Sequence, residues 1–406
     1  MQLKDVHLSA GEIIELTEKY LIETYPRFPF VAVRAKDQYI YDSEGNAWLD
    51  FYAGIAVNSC GSVNEKVTAA IQQQAGELVH TFNYPFTIPQ AVLAKLICEQ
   101  IGMEKIFYQS SGTEANEGMI KLARKYGTDK YGPEKYHIVT AKKGFHGRTY
   151  GALSATGQPE SVLHQGFEPM LPGFTYAEYN NLDAFKAACN EHTIAIMIEP
   201  MQGEGGVIPA TPEFMHGLRD FCDENDILLL LDEVQTGWGR TGTLMAYMGY
   251  GIQPDIVSMA KAMGNGFPIG AFCTTAKIAE TFNTGAHGTT YGGNVLACAA
   301  SYAAINEIID RDLPANAAKV GAYFCQLLKT LPHVKEVRGK GLLIGVEFDA
   351  PVAAAVKHGC TDRRLLITAL GANVIRMVPP LIITEENCDK ACAIIKAAVE
   401  EAYASL

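Results

Sequence analysis

No stretch of this chain stays apolar long enough to span a bilayer. Its amino terminus, MQLKDVHLSAGEIIELTEKY, breaks its apolar positions with charges, which argues against a secretory leader. Basic residues are in deficit: 33 lysines and arginines against 45 aspartates and glutamates leave a formal net charge of −12. That balance disfavours nucleic acid or an anionic membrane as partner, because both select basic surfaces. Paired cysteines are missing as well. The ten cysteines, Cys60 to Cys392, include no C-x-x-C and no zinc-ligand spacing, so no metal site is expected and the thiols read as reduced in a cytoplasmic protein. Nor is there a glycine fingerprint after a first strand with an acid about twenty residues later, which sets aside a nicotinamide dehydrogenase.

What is present suits a large folded enzyme. The 406 residues are 48% hydrophobic and 19% charged, enough for two or three packed subdomains, and 38 glycines imply many tight loops. The organising stretch is ILLLLDEVQTGWGRTGTLMAYMGYGIQPDIVSMAKAMGNGFP, Ile227 to Pro268. Ile227 to Leu231 is a short unbroken apolar run, as expected of a strand buried on both faces, and it stops at Asp232. A second run, Ile256 to Ala260, stops at Lys261. If the two are neighbouring strands, an acid and an amine meet at the carboxyl ends, where open α/β sheets hold ligands. Taken singly, an Asp after a strand is commonly a helix cap, and a Lys in a turn is commonly solvated.

The surrounding words decide between these readings. LLLLDEVQTGWGRTG with SMAKAMGNGFPIGA resembles the signature of the class III, or ω-amino-acid, pyridoxal phosphate aminotransferases. The resemblance implies a fold-type I α/β architecture: a large domain with a mostly parallel central sheet flanked by helices, and a smaller α+β domain from the two chain ends. It places Lys261 as the Schiff-base lysine, Asp232 on the pyridinium, Val234 on one ring face and Gln235 near the ring hydroxyl. The chemistry needs such groups, since a lysine amine can bond the cofactor aldehyde and a carboxylate can keep the ring nitrogen protonated.

In chain order, Ser9 and Glu12 predict a capped helix over 9–22 whose stripe of Ile13, Ile14, Leu16, Leu21 and Ile22 suits docking. YPRFPFVAVRAKDQYIYDSEGNAWLDF predicts a meander with strands near 32–34 and 39–41. AGIAVNSCG, Ala53 to Gly61, looks most like the acetylornithine branch. Gly61-Ser62-Val63-Asn64-Glu65 departs from it, for family members usually carry Gly-His-x-His-Pro there. A helix over 89–101 and a strand over 105–108 lead to Ser110-Ser111-Gly112-Thr113-Glu114-Ala115-Asn116 and a helix to about Tyr126. Small hydroxyl residues and glycine at such a junction let backbone N–H groups meet a phosphate, although a capped helix without ligand has the same look. The resemblance assigns Ser111, Gly112 and Thr113 to the cofactor phosphate.

A strand over 137–140 precedes GFHGRT. By resemblance Phe145 stacks on the pyridine face, Arg148 binds a substrate carboxylate, and His146 is structural. The apolar run 194–198 ends in EPMQGEGG; a helix over 212–225 then feeds the strand ending at Asp232, so that β-α-β order recurs as in a doubly wound sheet. AHGTTYGGN resembles a loop that crosses a dimer interface, with Thr290 on the partner's cofactor phosphate and Thr289 among the substrate contacts. An alanine-rich helix over 295–309 leads into an α+β unit that closes with a helix over 385–403. The expected division is 1–60, 61–294 and 295–406.

The function implied is transamination: the terminal amine of N2-acetylornithine passes to 2-oxoglutarate, giving N-acetylglutamate 5-semialdehyde and glutamate, in a cytoplasmic homodimer with shared active sites. Ornithine, succinylornithine or 4-aminobutyrate as donor, or an aminomutase, remain open, as does a non-catalytic scaffold of the same fold. One pocket must seat two substrates, and the resemblance implies a switch in which Glu204 pairs with Arg376 and releases it for an α-carboxylate.

Overall fold

The computed structural model describes residues 6–406; the first five residues of the amino-terminal stretch read above lie outside them. A seven-stranded sheet forms the centre, in the order Lys105–Gln109, Gly270–Thr274, Ile256–Met259, Leu228–Asp232, Thr193–Ile198, His137–Ala141, Phe174–Ala177. Every neighbouring pair is parallel except those made by Gly270–Thr274, which runs antiparallel to both its neighbours.

The unbroken apolar runs are explained by burial of both sheet faces. Leu229, Leu231, Val257, Met259, Ile196 and Ile198 enter one core cluster, while Leu228, Leu230, Ile256, Ala195 and Met197 enter another. Alternate residues thus serve opposite faces, and each run must be apolar throughout. The helix Gly112–Tyr131 covers the second face with Met119, Ile120, Leu122, Ala123 and Tyr126. It runs past the predicted end. The helix Pro212–Glu224 covers the first with Phe214, Leu218 and Cys222.

The two chain ends come together beside this sheet. Ala32–Lys36, Tyr39–Asp42 and Ala47–Asp50 form the expected meander, its turn held by Asp42, which accepts the Glu44 and Asn46 N–H groups and the Trp48 indole N–H. Leu365 and Leu366 then pair with Leu49 and Asp50 in parallel. A second four-stranded sheet is built from Val334–Lys340, Leu343–Phe348, Val374–Met377 and Thr368–Leu370, and the helix Glu385–Ala404 packs nearby on Ala353–Asp362. The amino-terminal helix Ala10–Tyr20 has the Ser9–Glu12 capping box, yet buries none of its residues in its own chain.

The segment that departs from the family pattern caps a helix. Asn64 Oδ1 accepts the N–H groups of Lys66 and Val67 at the start of Glu65–Glu77, and its amide donates to Glu307. Asn265 fixes the preceding backbone by accepting the Cys60 N–H and donating to the Gly61 carbonyl. All ten cysteines are free thiols. No helix among the described residues is long and apolar enough to cross a membrane.

Candidate active site

The strands ending at Asp232 and Met259 are neighbours in register: Leu230 faces Ile256, Leu231 faces Val257, and Asp232 faces Ser258. Lys261 follows two residues after that strand, in a short turn with φ of +48°. A lysine in the left-handed region is strained, and such strain collects where surrounding structure dictates a position. Both residues line one cavity of about 380 Å³, together with Ser111, Gly112, Thr113, Phe145, Arg148, Val234 and Gln235. Nine of the residues singled out by sequence therefore converge on a single cavity at the carboxyl ends of the strands.

Asp232 is buried and held from several sides. Asn116 Nδ2 donates to its Oδ2 at 2.8 Å, His146 Nδ1 lies 2.8 Å from the same oxygen, and Oδ1 accepts the Val234 N–H at 3.0 Å. Ser258 Oγ donates to Asn116 Oδ1 at 2.6 Å, which orients that amide. A carboxylate fixed in this way can meet a ring N–H without rearrangement. Burial pushes the Lys261 amine down to about 8, partly offset by Glu204, Asp232 and Glu199. A neutral amine is the form that attacks a carbonyl.

The helix Gly112–Tyr131 opens onto the cavity. Ser111 Oγ accepts the Glu114 N–H and donates to its carboxylate, while Thr113 Oγ1 is engaged by the N–H groups of Arg148 and Thr149. The hydroxyls are thus committed within the protein, and the first-turn N–H groups with the helix dipole are what the junction offers an anion. Gly112 is required by packing: a Cβ there would stand 2.7 Å from Val234 Cγ1. An amine, a fixed carboxylate, an anion-binding helix end and the apolar walls Phe145 and Val234 match the four parts of pyridoxal phosphate, so these residues fit that group.

Arg376, on the strand Val374–Met377, is buried and donates to Glu204 Oε1 at 2.5 Å and to Gln235 Oε1 at 3.3 Å. Burial works against the Glu204 charge, but the guanidinium outweighs it and holds the carboxyl below its ordinary value. This pair meets the cavity through Gln235. Arg148 is exposed, with its guanidinium 5.7 Å from the Phe145 ring centroid. Thr289 and Thr290 lie elsewhere: Thr289 Oγ1 accepts the Gly292 N–H, and Thr290 lines a separate groove with His80, Thr81, Phe82 and Asn83.

Sequence reading missed four contributors. His146, read as structural, bonds Asp232 directly. Asn116 and Ser258 complete that contact, and Glu199 lines the cavity while accepting the Phe145 and Gly203 N–H groups. Their one signal was position, each next to a strand end or within a quoted motif. Ala53, Gly54, Ile55 and Ala56 also form an unexpected left-handed turn, with φ between +48° and +64°, that delivers Val57 to the cavity. Asp50 holds it by accepting the Tyr52 and Ala53 N–H groups.

Comparison with known proteins agrees with this geometry. Residues 20–399 match the family model for aminotransferase class-III. The acetylornithine aminotransferase of Caldanaerobacter subterraneus is 47% identical over 96% of this chain and 99% of its own, and that of Aquifex aeolicus is 43% identical over 93% and 99%. Among solved structures, the ornithine aminotransferase of Toxoplasma gondii superimposes with a TM-score of 0.93 at 30% identity, covering 97% of this chain and 96% of that one.

Proposed function

The chain belongs to the class-III aminotransferases, and from that premise we propose that it moves the terminal amine of N2-acetylornithine to 2-oxoglutarate, giving N-acetylglutamate 5-semialdehyde and glutamate. Pyridoxal phosphate, when bound, supplies an aldehyde for the amine and a ring that accepts the electrons released at the amine-bearing carbon. Lys261 is its covalent anchor. Freed by a substrate amine, the Lys261 amine, brought to about 8, would take the proton from the amine-bearing carbon and deliver it across the nitrogen to the former aldehyde carbon. Asp232 holds the proton on the ring nitrogen. Phe145 and Val234 would close the two ring faces, Gln235 would meet the ring hydroxyl, and the N–H groups at Ser111, Gly112 and Thr113 would take the phosphate.

The observation that carries this reading is the convergence of Lys261 and a multiply held Asp232 on one cavity. Arg148 takes the carboxylate far from the reacting carbon in both half-reactions. Glu204 neutralises Arg376 while the donor is bound and frees it for the α-carboxylate of glutamate or 2-oxoglutarate; Thr289 lies among the substrate contacts. The donor assignment follows the relatives at 40–47% identity that carry that name.

A homodimer is part of the proposal. Tyr84 and Tyr291, 88% and 66% exposed, pack against Phe82 and His80 of the groove that contains Thr290. Large aromatics so displayed beside a glycine loop suit burial against a second copy, which would carry Thr290 to the partner's cofactor phosphate. A panel of ω-amine donors with 2-oxoglutarate tests the assignment: N-acetylornithine should give the highest kcat/KM, and preference for ornithine or 4-aminobutyrate would reassign the donor.

A further inference from the structure

His146 is the one group on Asp232 whose other end leads somewhere unexplained. Its side chain is fully buried; Nδ1 meets Asp232, and Nε2 has no hydrogen-bond partner within the protein. A buried ring nitrogen left unpaired is unfavourable, and native structures satisfy such atoms by protein or by ordered water.

The space it faces is defined by Gly144. A Cβ on that residue would lie 3.0 Å from the Ala141 carbonyl oxygen, 3.5 Å from His146 Nε2 and 3.8 Å from Glu199 Oε1. Three polar atoms thus surround the face of Gly144 that carries no side chain. Water needs two to four such partners to be held in a protein interior. Glu199 has room to accept it: Oε1 accepts the Phe145 N–H at 3.0 Å, Oε2 accepts the Gly203 N–H at 3.1 Å, and Oε1, the oxygen nearer Gly144, keeps a second lone pair.

We infer that a bound water at Gly144 links His146 Nε2 to Glu199 Oε1, so that Asp232, His146, the water and Glu199 form one buried chain in which His146 and Glu199 are positioning residues for Asp232. One proton serves the His146–Glu199 end. It resides either on Glu199, donated through the water to a neutral Nε2, or on Nε2, donated through the water to the carboxylate. In both arrangements Nδ1 keeps its own proton for Asp232. Burial pushes Glu199 up to about 7, against the pull of His146 and its two N–H donors, so a protonated Glu199 is accessible near neutrality. The other charged or titratable groups bearing on this end are Asp232, Lys261 and Tyr179. The chain also joins Phe145 and the Gly203–Glu204 loop to Asp232, since both are tethered to Glu199.

The inference rests on the reading of Asp232 as the group that holds the ring proton, yet two of its readouts, the ordered water and the histidine signals, are properties of the protein with or without cofactor. Crystals of the purified enzyme that resolve ordered waters should show one within hydrogen-bond distance of His146 Nε2, Glu199 Oε1 and Ala141 O. The nitrogen resonances of His146, assigned in histidine-labelled protein by their loss in His146→Gln, should shift at Nε2 in Gly144→Ala, which fills the position, and in Glu199→Gln, which removes the carboxylate. Pyridoxal phosphate should bind either variant roughly tenfold more weakly, the loss of one hydrogen bond to a charged network. A dry site in the wild-type crystal overturns the inference even if neither variant folds. So does a His146 Nε2 signal unmoved by both substitutions. A protein that binds no pyridoxal phosphate would refute the proposed function, while the water and the histidine signals would still decide this point.

Discussion

Asp232 stands opposite Ser258 in the parallel pair at the centre of the sheet, and Ser258 donates to the Asn116 oxygen while the Asn116 amide donates to Asp232. One register contact therefore fixes both where the carboxylate lies and how it is turned. Asp232→Asn should retain the fold, because the amide is isosteric, and lose roughly a hundredfold or more in kcat, because a neutral group no longer holds the ring proton. Circular dichroism with single-turnover kinetics checks this. Near-normal turnover would remove Asp232 from the mechanism.

The depressed Lys261 value has a thermodynamic consequence. Its ordinary value is 10.5 and burial brings it to about 8. The folded cofactor-free protein thus disfavours the ammonium. The destabilisation is fully present below pH 8 and is lost as pH rises toward 10.5. Lys261→Met should raise the Tm of the cofactor-free protein at pH 7 and raise it less at pH 10. Calorimetry of both proteins at both pH values decides it, and equal increments would show that the lysine is not desolvated.

Glu204 and Arg376 form the proposed switch. Glu204→Ala leaves the arginine free throughout the cycle, so small α-amino acids should become better donors and ω-amines worse. Arg376→Ala should harm the glutamate half-reaction more than the donor half-reaction, by about 2–5 kcal/mol. Equal losses in both halves for both variants would make the contact a plain structural pair.

Thr290 lies away from the Lys261 cavity of its own chain. If it completes the partner's site, mixing Lys261→Ala with Thr290→Ala protein should restore part of the activity lost by each, since one site in the heterodimer then holds both intact residues. No recovery after confirmed subunit exchange, or an active monomer, would contradict shared sites.

The legible parts of the chain were those where a local pattern and a tertiary demand coincide. Strands buried on both faces must be apolar throughout, so the ends at Asp232 and Lys261 stood out. Gly270–Thr274, GAFCT, follows a proline and shows no alternation, and nothing in it announces an antiparallel strand between two parallel ones. The left-handed turn at 53–56 was hidden because alanine and isoleucine disfavour that conformation; Asp50 holds its start through the Ala53 N–H, and the distant Leu366 carbonyl anchors the chain just before it through the Phe51 N–H. His146 and Asn116 lie 86 and 116 residues from Asp232, so their bonds to it exist only in the fold. The stripe on Ala10–Tyr20 was read as a docking surface; no residue of the helix is fully buried in its own chain, and Ile13 and Ile14 line a groove with Tyr25 and Phe28.

The most direct test of the account is the first half-reaction alone. Purified enzyme carrying pyridoxal phosphate is mixed with N-acetylornithine in the absence of any acceptor, and the visible band of the cofactor and the released aldehyde are followed together. The account predicts loss of the band with one aldehyde per Lys261 and its return on adding 2-oxoglutarate, both steps absent in Lys261→Ala. An unchanged band with N-acetylornithine, while another ω-amine discharges it, would contradict the assigned donor; a band that no amine discharges would contradict transamination itself.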